Sequence, residues 1–247
     1  AVTAGCDGVH PGYGFLSENS NFAAICKNRG LKFIGPDSEV IQKMGDKIEA
    51  RKAMIKAGVP VIPGSEGNVK DLNEAVKISK DIGFPVMIKA TNGGGGRGIR
   101  RCDNEKEVES NYERVISEAT KAFGSPEVFI EKCVLNPKHI EVQVLADQDN
   151  NAIHLFERDC SIQRRNQKLI EIAPSPQLNE EQRSYIGDLA VKAAKAVNYQ
   201  NAGTVEFLLD SENNFYFMEM NTRLQVEHTI TENITGVDIV QEQIRIA

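Results

Sequence analysis

Two short apolar segments joined by a polar turn constrain this chain most. Residues 204–209 and 214–220 are rich in Val, Phe, Tyr and Leu, which is typical of a β-hairpin. With a loop at 211–214, the hairpin places Glu206 opposite Glu219. Two carboxylates that face each other in a partly buried place repel unless a cation lies between them. The hairpin therefore predicts either a cation site or glutamates that reach solvent at the strand ends.

The residues after Glu219 extend this prediction. Alternate side chains share a face of a regular strand, so Asn221 and Arg223 are expected on the side of Glu219. The apolar side chains of the second segment are expected to divide between the faces, with Phe215 and Phe217 on one and Tyr216, Met218 and Met220 on the other. Two carboxylates and an amide oxygen are hard ligands that suit Mg²⁺, which also binds substrate phosphates.

Composition narrows the class of protein. The 247 residues are 40% hydrophobic and 26% charged, which is ordinary for a globular chain of one or two domains. The net charge of -6 argues against a nucleic-acid or anionic-membrane binder. Five scattered cysteines without a CxxC motif indicate reduced thiols and a cytoplasmic setting. The sequence shows no membrane span or signal peptide, and both ends suggest a fragment of a longer protein.

The order of predicted elements indicates a mixed fold. Helical patterns and short apolar strands alternate along the chain, which points to an α/β or α+β protein. The basic stretch 158–168 is expected to be a solvated loop, as charge runs usually are, or else a functional segment, since it leads into a poorly periodic segment where functional residues tend to lie.

A lysine before a run of glycines is a candidate phosphate site. Lys89 ends the predicted strand 85–90, and Gly93–Gly96 and Arg97 follow it. Glycines allow backbone N–H groups to wrap a phosphate, and the lysine supplies compensating charge. The order differs from that of a P-loop, and a flexible hairpin tip is the alternative. We also expect these glycines to be mobile without nucleotide, as in a closing lid.

Seven motifs together resemble the biotin carboxylases, which are ATP-grasp enzymes. They are 10–18 (HPGYGFLSE), 44–47 (MGDK), 88–90 (IKA) with the glycines, 131–132 (EK), 157–161 (ERDCS), 163–165 (QRR) and 219–228 (EMNTRLQVEH). The resemblance covers the chain from end to end and in order. It departs at Asn166, where many members have histidine, and at Cys133 and Val134, where an aromatic residue and leucine are common.

The resemblance implies a role for each candidate residue. The ATP contacts would be Lys47, Lys89, Gly94, Gly95, Gly96, Glu131, Lys132, Val134, His139 and Gln163. The ligands of Mg²⁺ (or Mn²⁺) would be Glu206, Glu219 and Asn221. Bicarbonate would contact Lys168, Arg223, Gln225 and Val226. The catalytic residues would be Glu227, which deprotonates bicarbonate, Lys168, and Arg223, which also stabilises the biotin enolate.

The same resemblance implies an architecture and partners. Residues 1–33 would be part of a Rossmann-like domain, 34–60 linker helices, 61–133 the ATP-grasp lid, and 134–247 a core with a mostly antiparallel sheet. The implied substrates are ATP, bicarbonate and biotin on a carrier protein, with a carboxyltransferase as a further partner and a homodimer or larger assembly. Another ATP-grasp ligase that forms an acyl phosphate and a non-catalytic nucleotide-binding module are the alternatives.

Overall fold

The N-terminal part forms a small βαβ unit. The computed structural model describes residues 1–91, 98–165 and 167–247. A 3-10 turn precedes β1 (Gly8–Val9), α1 (Ser20–Asn28) and β2 (Lys32–Phe33), and the two strands pair in parallel. Asn19 begins α1 by accepting a hydrogen bond from the N–H of Phe22 at 2.8 Å.

Two helices lead from this unit to the main sheet. They are α2 (Ser38–Gly45) and α3 (Lys47–Ala57). Asp46 caps α3 by accepting from the backbone N–H groups of its first turn. The helix ends at Gly58, whose φ of +67° lies in the left-handed region that favours glycine.

A three-stranded antiparallel sheet with two helices follows. Its elements are α4 (Leu72–Ile82), β3 (Val86–Ala90), β4 (Ile99–Cys102), α5 (Glu105–Phe123) and β5 (Val128–Lys132), with strand order β4-β3-β5. Val86, Ile88, Val108, Val115 and Ile130 form the centre of its own apolar core. The glycines predicted to contact phosphate, Gly93–Gly96, lie outside the described residues.

A five-stranded antiparallel sheet is the largest element. Its strands are β6 (Lys138–Ala146), β7 (Ala152–Arg164), β8 (Gln167–Ile172), β9 (Asn201–Leu209) and β10 (Phe215–Asn221), in the order β10-β9-β6-β7-β8. The helix α6 (Glu180–Ala196), which begins with an Asn179–Gln182 capping box, packs with α3 on one face. The chain closes with α7 (His228–Thr235) and α8 (Ile239–Ile246).

The polar side chains of this sheet lie on the face opposite to α6. Ile140, Val142 and Phe207 join the α6 core, whereas the alternate positions Glu141 and Glu206 face the other way. This mixed architecture confirms the predicted α/β class. No helix among the described residues is both long and apolar enough to span a membrane.

The prediction that residues 158–168 form a solvated loop is wrong. The strand β7 continues through Arg164, and β8 begins at Gln167. Arg158 is fully buried, so the basic stretch is not a solvated loop. Arg158 and Lys168 form hydrogen bonds with acceptors on neighbouring strands. Local periodicity alone does not reveal such contacts.

The hairpin prediction is confirmed in its main point and wrong in one face assignment. Glu206 pairs with Glu219, but Phe207 pairs with Phe217, so Met218 is an extra residue in a β-bulge. The bulge reverses the alternation that follows it. Met220 therefore joins Phe215 and Phe217 in the core instead of lying on the opposite face.

Candidate active site

A cavity of about 810 Å³ is lined by both sheets and by α3. It contains every predicted site residue that the structure describes: Lys47, Lys89, Glu131, Lys132, Val134, His139, Gln163, Lys168, Glu206, Glu219, Asn221, Arg223, Gln225, Val226 and Glu227. The fold therefore brings these residues together, while their individual roles remain predictions.

Four charged residues form a row across the large sheet. Arg158 pairs in register with Glu141, Glu141 with Glu206, and Glu206 with Glu219. Antiparallel pairing thus places three carboxylates side by side on the cavity face, where Glu141 and Glu206 are buried. Such a row is stable only if cations compensate it.

Lys168 on β8 supplies one of these cations. Its ammonium group donates to Glu141, to Glu206 at 3.0 Å and to Glu227 at 2.7 Å. Burial works to lower the pKa of Lys168, but Glu206 and Glu141 outweigh it and raise the pKa well above its ordinary value. Lys168 is therefore a fixed positive charge at this end of the cavity.

Glu206 accepts several hydrogen bonds. Burial acts to raise its pKa, but the bond from His139 Nε2 at 2.6 Å and the charge of Lys168 lower it. Its other oxygen accepts from Asn221 Nδ2 at 2.7 Å and Gln225 Nε2 at 3.1 Å. Glu206 is consequently ionised and held in one orientation.

Glu219 differs from Glu206 in its surroundings within the described part of the chain. Among the described residues, no hydrogen bond to its oxygens is found. Burial and the nearby charge of Glu206 raise the pKa of Glu219, while Lys47 opposes the shift. A divalent cation between the two glutamates would remove this repulsion, and their hard oxygen ligands suit Mg²⁺. Glu206 and Glu219 therefore fit a magnesium ion, with Asn221 beside them.

A second acidic set is already compensated. Glu141, Cys160 and Glu227 have possible ligand atoms within 4.8 Å of one another. Both glutamates, however, form ion pairs with Lys168. This set does not need a metal ion to balance its charge.

Glu227 lies at the start of α7 and faces the cavity. Burial acts to raise its pKa, but the hydrogen bond and charge of Lys168 outweigh burial and lower it. The carboxylate is therefore ionised at neutral pH, as a proton acceptor must be.

Arg223 is held by the N-terminal part of the chain. Its Nε donates to Glu18 at 2.8 Å, and its guanidinium also donates to Asn221 Oδ1 at 3.0 Å. Glu18 additionally accepts from the N–H of Thr222 at 3.1 Å. These contacts connect the loop before α1 to the segment that leaves β10, and they orient Arg223 next to the predicted metal ligands.

The three-stranded sheet contributes the opposite end of the cavity. Lys89 forms an ion pair with Glu131. Lys132 is tied to the small unit, since its ammonium donates to the carbonyls of Gly83 and Phe84 at 2.9 Å each. Burial lowers the pKa of Lys47, and Glu219 partly opposes this shift.

Three residues that contact the site were not predicted from the sequence. Glu141 and Arg158 lie in strands where charged residues normally indicate a solvent face, and Glu18 lies about 200 residues away from Arg223 in sequence. The alternation of Ile140, Glu141 and Val142 in a central strand was the available signal, because a central strand leaves few solvent-exposed positions.

Comparison with known proteins agrees with this geometry. Residues 46–247 match the family described as "Carbamoyl-phosphate synthase L chain, ATP binding domain", and residues 1–41 match "Biotin carboxylase, N-terminal domain". Biotin carboxylase 2 of Bacillus subtilis is 56% identical over the whole chain, which covers 56% of that protein. Pyruvate carboxylase 1 of Caenorhabditis elegans is 57% identical over the whole chain, which covers 21% of that protein.

A solved structure is equally similar. The biotin carboxylase domain dimer of Hydrogenobacter thermophilus 2-oxoglutarate carboxylase, in complex with MgADP, ADP and bicarbonate, has a TM-score of 0.95 and 59% identity. The match covers 100% of this chain and 54% of that one. The chain thus spans about half the length of the biotin carboxylases it matches. It belongs to the family of carbamoyl-phosphate synthase L chain ATP-binding domains and, within that family, to the biotin carboxylases.

Proposed function

We propose that the complete protein is an ATP-dependent ligase that carboxylates biotin on a carrier protein. The observation that carries this proposal is one cavity in which Lys168 and Glu227 adjoin the paired carboxylates Glu206 and Glu219. Such an arrangement offers a base and a fixed cation beside a site for a metal-bound phosphate. The similar domain from Hydrogenobacter thermophilus was solved with MgADP and bicarbonate, which are ligands of the same chemistry.

The first proposed step activates bicarbonate. Lys168 and Arg223 would bind the anion by charge, and Gln225 and Val226 would complete its site. Glu227 accepts the bicarbonate proton, and the resulting dianion attacks the γ-phosphate of ATP to form carboxyphosphate and ADP. Because Glu227 is ionised and next to Lys168, it is prepared to accept this proton.

The nucleotide would lie along the rest of the cavity. Lys47 and Lys89 would neutralise the phosphates, and Glu131, Lys132, Val134, His139 and Gln163 would contact the remainder of ATP. Gly94, Gly95 and Gly96 are proposed phosphate contacts outside the described residues. Mg²⁺ held by Glu206, Glu219 and Asn221 would supply charge neutralisation at the transferred phosphoryl group.

Carboxyphosphate then breaks down to CO₂ and phosphate, the phosphate accepts the N–H proton of biotin, and the nitrogen of the resulting enolate attacks CO₂ to form carboxybiotin. We propose that Arg223 stabilises the enolate of biotin, because its guanidinium faces the same cavity. The partners would be a biotin carboxyl carrier protein and a carboxyltransferase, and the relative solved as a dimer supports a dimeric assembly. A pyruvate carboxylase and a 2-oxoglutarate carboxylase are almost equally identical to this chain, at 57% and 59%.

The proposed architecture follows the two sheets. Residues 61–133 would act as the lid over ATP and 134–247 as the core, with 1–33 as part of a Rossmann-like domain and 34–60 as linker helices. The separate apolar core of the three-stranded unit supports a lid that moves as one body.

One assay separates the proposed function from its alternatives. Full-length protein should release ADP from ATP only with bicarbonate, and free biotin should stimulate that release. ATP turnover that requires a different carboxylic acid would indicate another ATP-grasp ligase. ATP binding without turnover under any of these conditions would indicate a non-catalytic module.

A further inference from the structure

The guanidinium of Arg158 is a buried group that lies beneath the cavity and forms many hydrogen bonds. Its side chain is fully buried under α7. All five N–H groups of an arginine can donate, and here five donor–acceptor contacts are formed. The acceptors are Glu141 Oε1 at 2.5 Å, Gln143 Oε1 at 2.9 Å, Thr204 Oγ1 at 3.2 Å, Gln225 Oε1 at 2.7 Å and Thr231 Oγ1 at 2.8 Å.

Two of these acceptors connect Arg158 to the bicarbonate end of the cavity: Gln225 lines it, and Glu141 binds Lys168, which lines it. Because Arg158 binds Oε1 of Gln225, the amide directs its Nε2 to Glu206 at 3.1 Å. A flipped amide would break both hydrogen bonds. Arg158 likewise binds one oxygen of Glu141, and the other oxygen binds Lys168. The buried charge of Arg158 thus fixes the amide of Gln225 directly and the ammonium group of Lys168 through Glu141.

We propose that Arg158 is a positioning residue for bicarbonate, acting through Gln225 and through the Glu141–Lys168 pair. This inference rests on the proposed function. Without the guanidinium, Lys168 is the one cation that pairs with Glu141 among the described residues, and Glu141 draws the ammonium group towards itself. Gln225 at the same time loses the partner that sets its amide. Both changes displace bicarbonate contacts and leave the nucleotide end of the cavity unchanged.

A second arginine provides a matched control. Arg183 donates to the buried carboxylate of Glu157 at 2.9 Å and to the carbonyls of Ser175 and Leu178. Like Arg158 it joins a helix or loop to β7, but its contacts lie away from the cavity-lining residues. Its replacement reports what the loss of a partly buried arginine fork on a buried carboxylate does to stability alone.

The test compares R158K and R183K in the full-length protein. R158K keeps the charge but cannot reproduce the five-fold fork. Its KM for bicarbonate should rise about 10- to 100-fold, the scale of a small misplacement of reacting groups. Its KM for ATP should stay within about threefold, because the ATP contacts are not touched. R183K should lower the thermal midpoint without changing the KM for bicarbonate. Equal rises in both KM values for R158K, or no rise for bicarbonate, would overturn the proposal.

Two further measurements keep the outcome decisive. If R158K does not fold, Thr231→Val removes one neutral acceptor and preserves the Arg158–Glu141 pair, and it should raise the bicarbonate KM about threefold in the same direction. An unchanged KM overturns the proposal.

A crystal structure of the folded variant should show Gln225 Nε2 beyond hydrogen-bond distance of Glu206, and retained geometry also overturns the proposal. If wild-type protein shows no bicarbonate-dependent turnover, the proposed function fails, while this crystal structure still decides the positioning role.

Discussion

The two sheets that line the cavity hold their charged residues in different ways. On the five-stranded sheet, Lys168 contacts three carboxylates, and Arg158 contacts one of them, Glu141, and four neutral side chains, so each cation has more than one partner. On the three-stranded sheet, Lys89 has one ion-pair partner among the described residues, Glu131. Multiple partners fix the geometry of a group, whereas a single pair can exchange one partner for a ligand. This contrast suits the proposed assignment of bicarbonate chemistry to the large sheet and of phosphate binding to the small one.

The largest expected effect is at Glu227, on the densely connected side. Glu227→Gln in the full-length protein removes the proposed base but keeps the shape of the side chain. We expect bicarbonate-dependent turnover to fall by about 10²- to 10⁴-fold, the usual contribution of a general base. Nucleotide affinity should change little, because the proposed ATP contacts lie at the other end of the cavity. Steady-state kinetics and a nucleotide-binding titration would measure the two quantities.

Glu232 offers the control for this experiment. It lies on the same helix, and its carboxylate accepts from the N–H of Ile239 instead of lining the cavity. Glu232→Gln should retain turnover. Wild-type-like turnover in Glu227→Gln, or loss of ATP binding in it, would show that Glu227 is not the base.

The next effect concerns the glutamate pair of the hairpin. Glu219→Gln should raise the Mg²⁺ concentration needed for ATP turnover by about 10- to 100-fold. The pKa of Glu219 is raised by burial and by Glu206, so its ionised form disfavours the metal-free fold. A neutral glutamine should therefore increase the free energy of unfolding at neutral pH without metal. Urea denaturation in a chelator would measure this increase.

Glu219→Gln should thus weaken the use of Mg²⁺ but stabilise the metal-free fold, so two separate measurements test the same assignment. The exposed turn residue Glu212 provides the control, and Glu212→Gln should alter neither quantity. An unchanged Mg²⁺ dependence in Glu219→Gln would remove Glu219 from the metal site. A lower stability without metal would contradict the repulsion between the two glutamates.

On the small sheet we expect a more moderate effect. Lys89→Met removes the proposed charge-assisted contact to phosphate and should raise the KM for ATP about tenfold. The KM for bicarbonate should be unchanged, because no contact between Lys89 and the five-stranded sheet is found among the described residues. Lys77→Met, at an exposed position of α4, is the control. A rise in the bicarbonate KM for Lys89→Met would show that the two sheets do not divide the work as proposed.

The hairpin shows how far the sequence alone can lead. Two apolar segments and a polar turn were enough to place Glu206 opposite Glu219, because pairing is set by the turn and the strand pattern. The bulge at Met218 left no such signal. It accompanies a contact made outside the hairpin, in which the N–H of Phe217 donates to the carbonyl of Pro60 at 2.8 Å.

The basic stretch shows where the sequence fails. Arg158 and its neighbours were predicted as a loop because their charges suggested solvent. In the structure Arg158 is buried, since Glu141, Thr204 and Gln225 from three other segments satisfy its donors. Partners separated by 17 to 67 residues in the chain cannot be found from local periodicity. The family resemblance located the cavity residues, but it did not identify this support beneath them.

The smallest expected effect is a change in the pKa of Glu227. It directly tests the role of Lys168, which contacts Glu141, Glu206 and Glu227. Burial alone would raise the pKa of Glu227, and it is the Lys168 ammonium, 2.7 Å away, that lowers it. In Lys168→Met that opposing cause is removed, so the pKa should rise relative to wild type. Carbon-13 NMR of labelled glutamate carboxyls would follow the titration. Lys168→Arg keeps the positive charge and should keep the pKa low, and Lys192→Met, which loses a bond to the carbonyl of Gly58, should leave it unchanged. If the pKa of Glu227 stayed the same in Lys168→Met, the neighbouring Arg158 would be sufficient to keep Glu227 ionised. Lys168 would then not be the group that connects Glu227 to the five-stranded sheet.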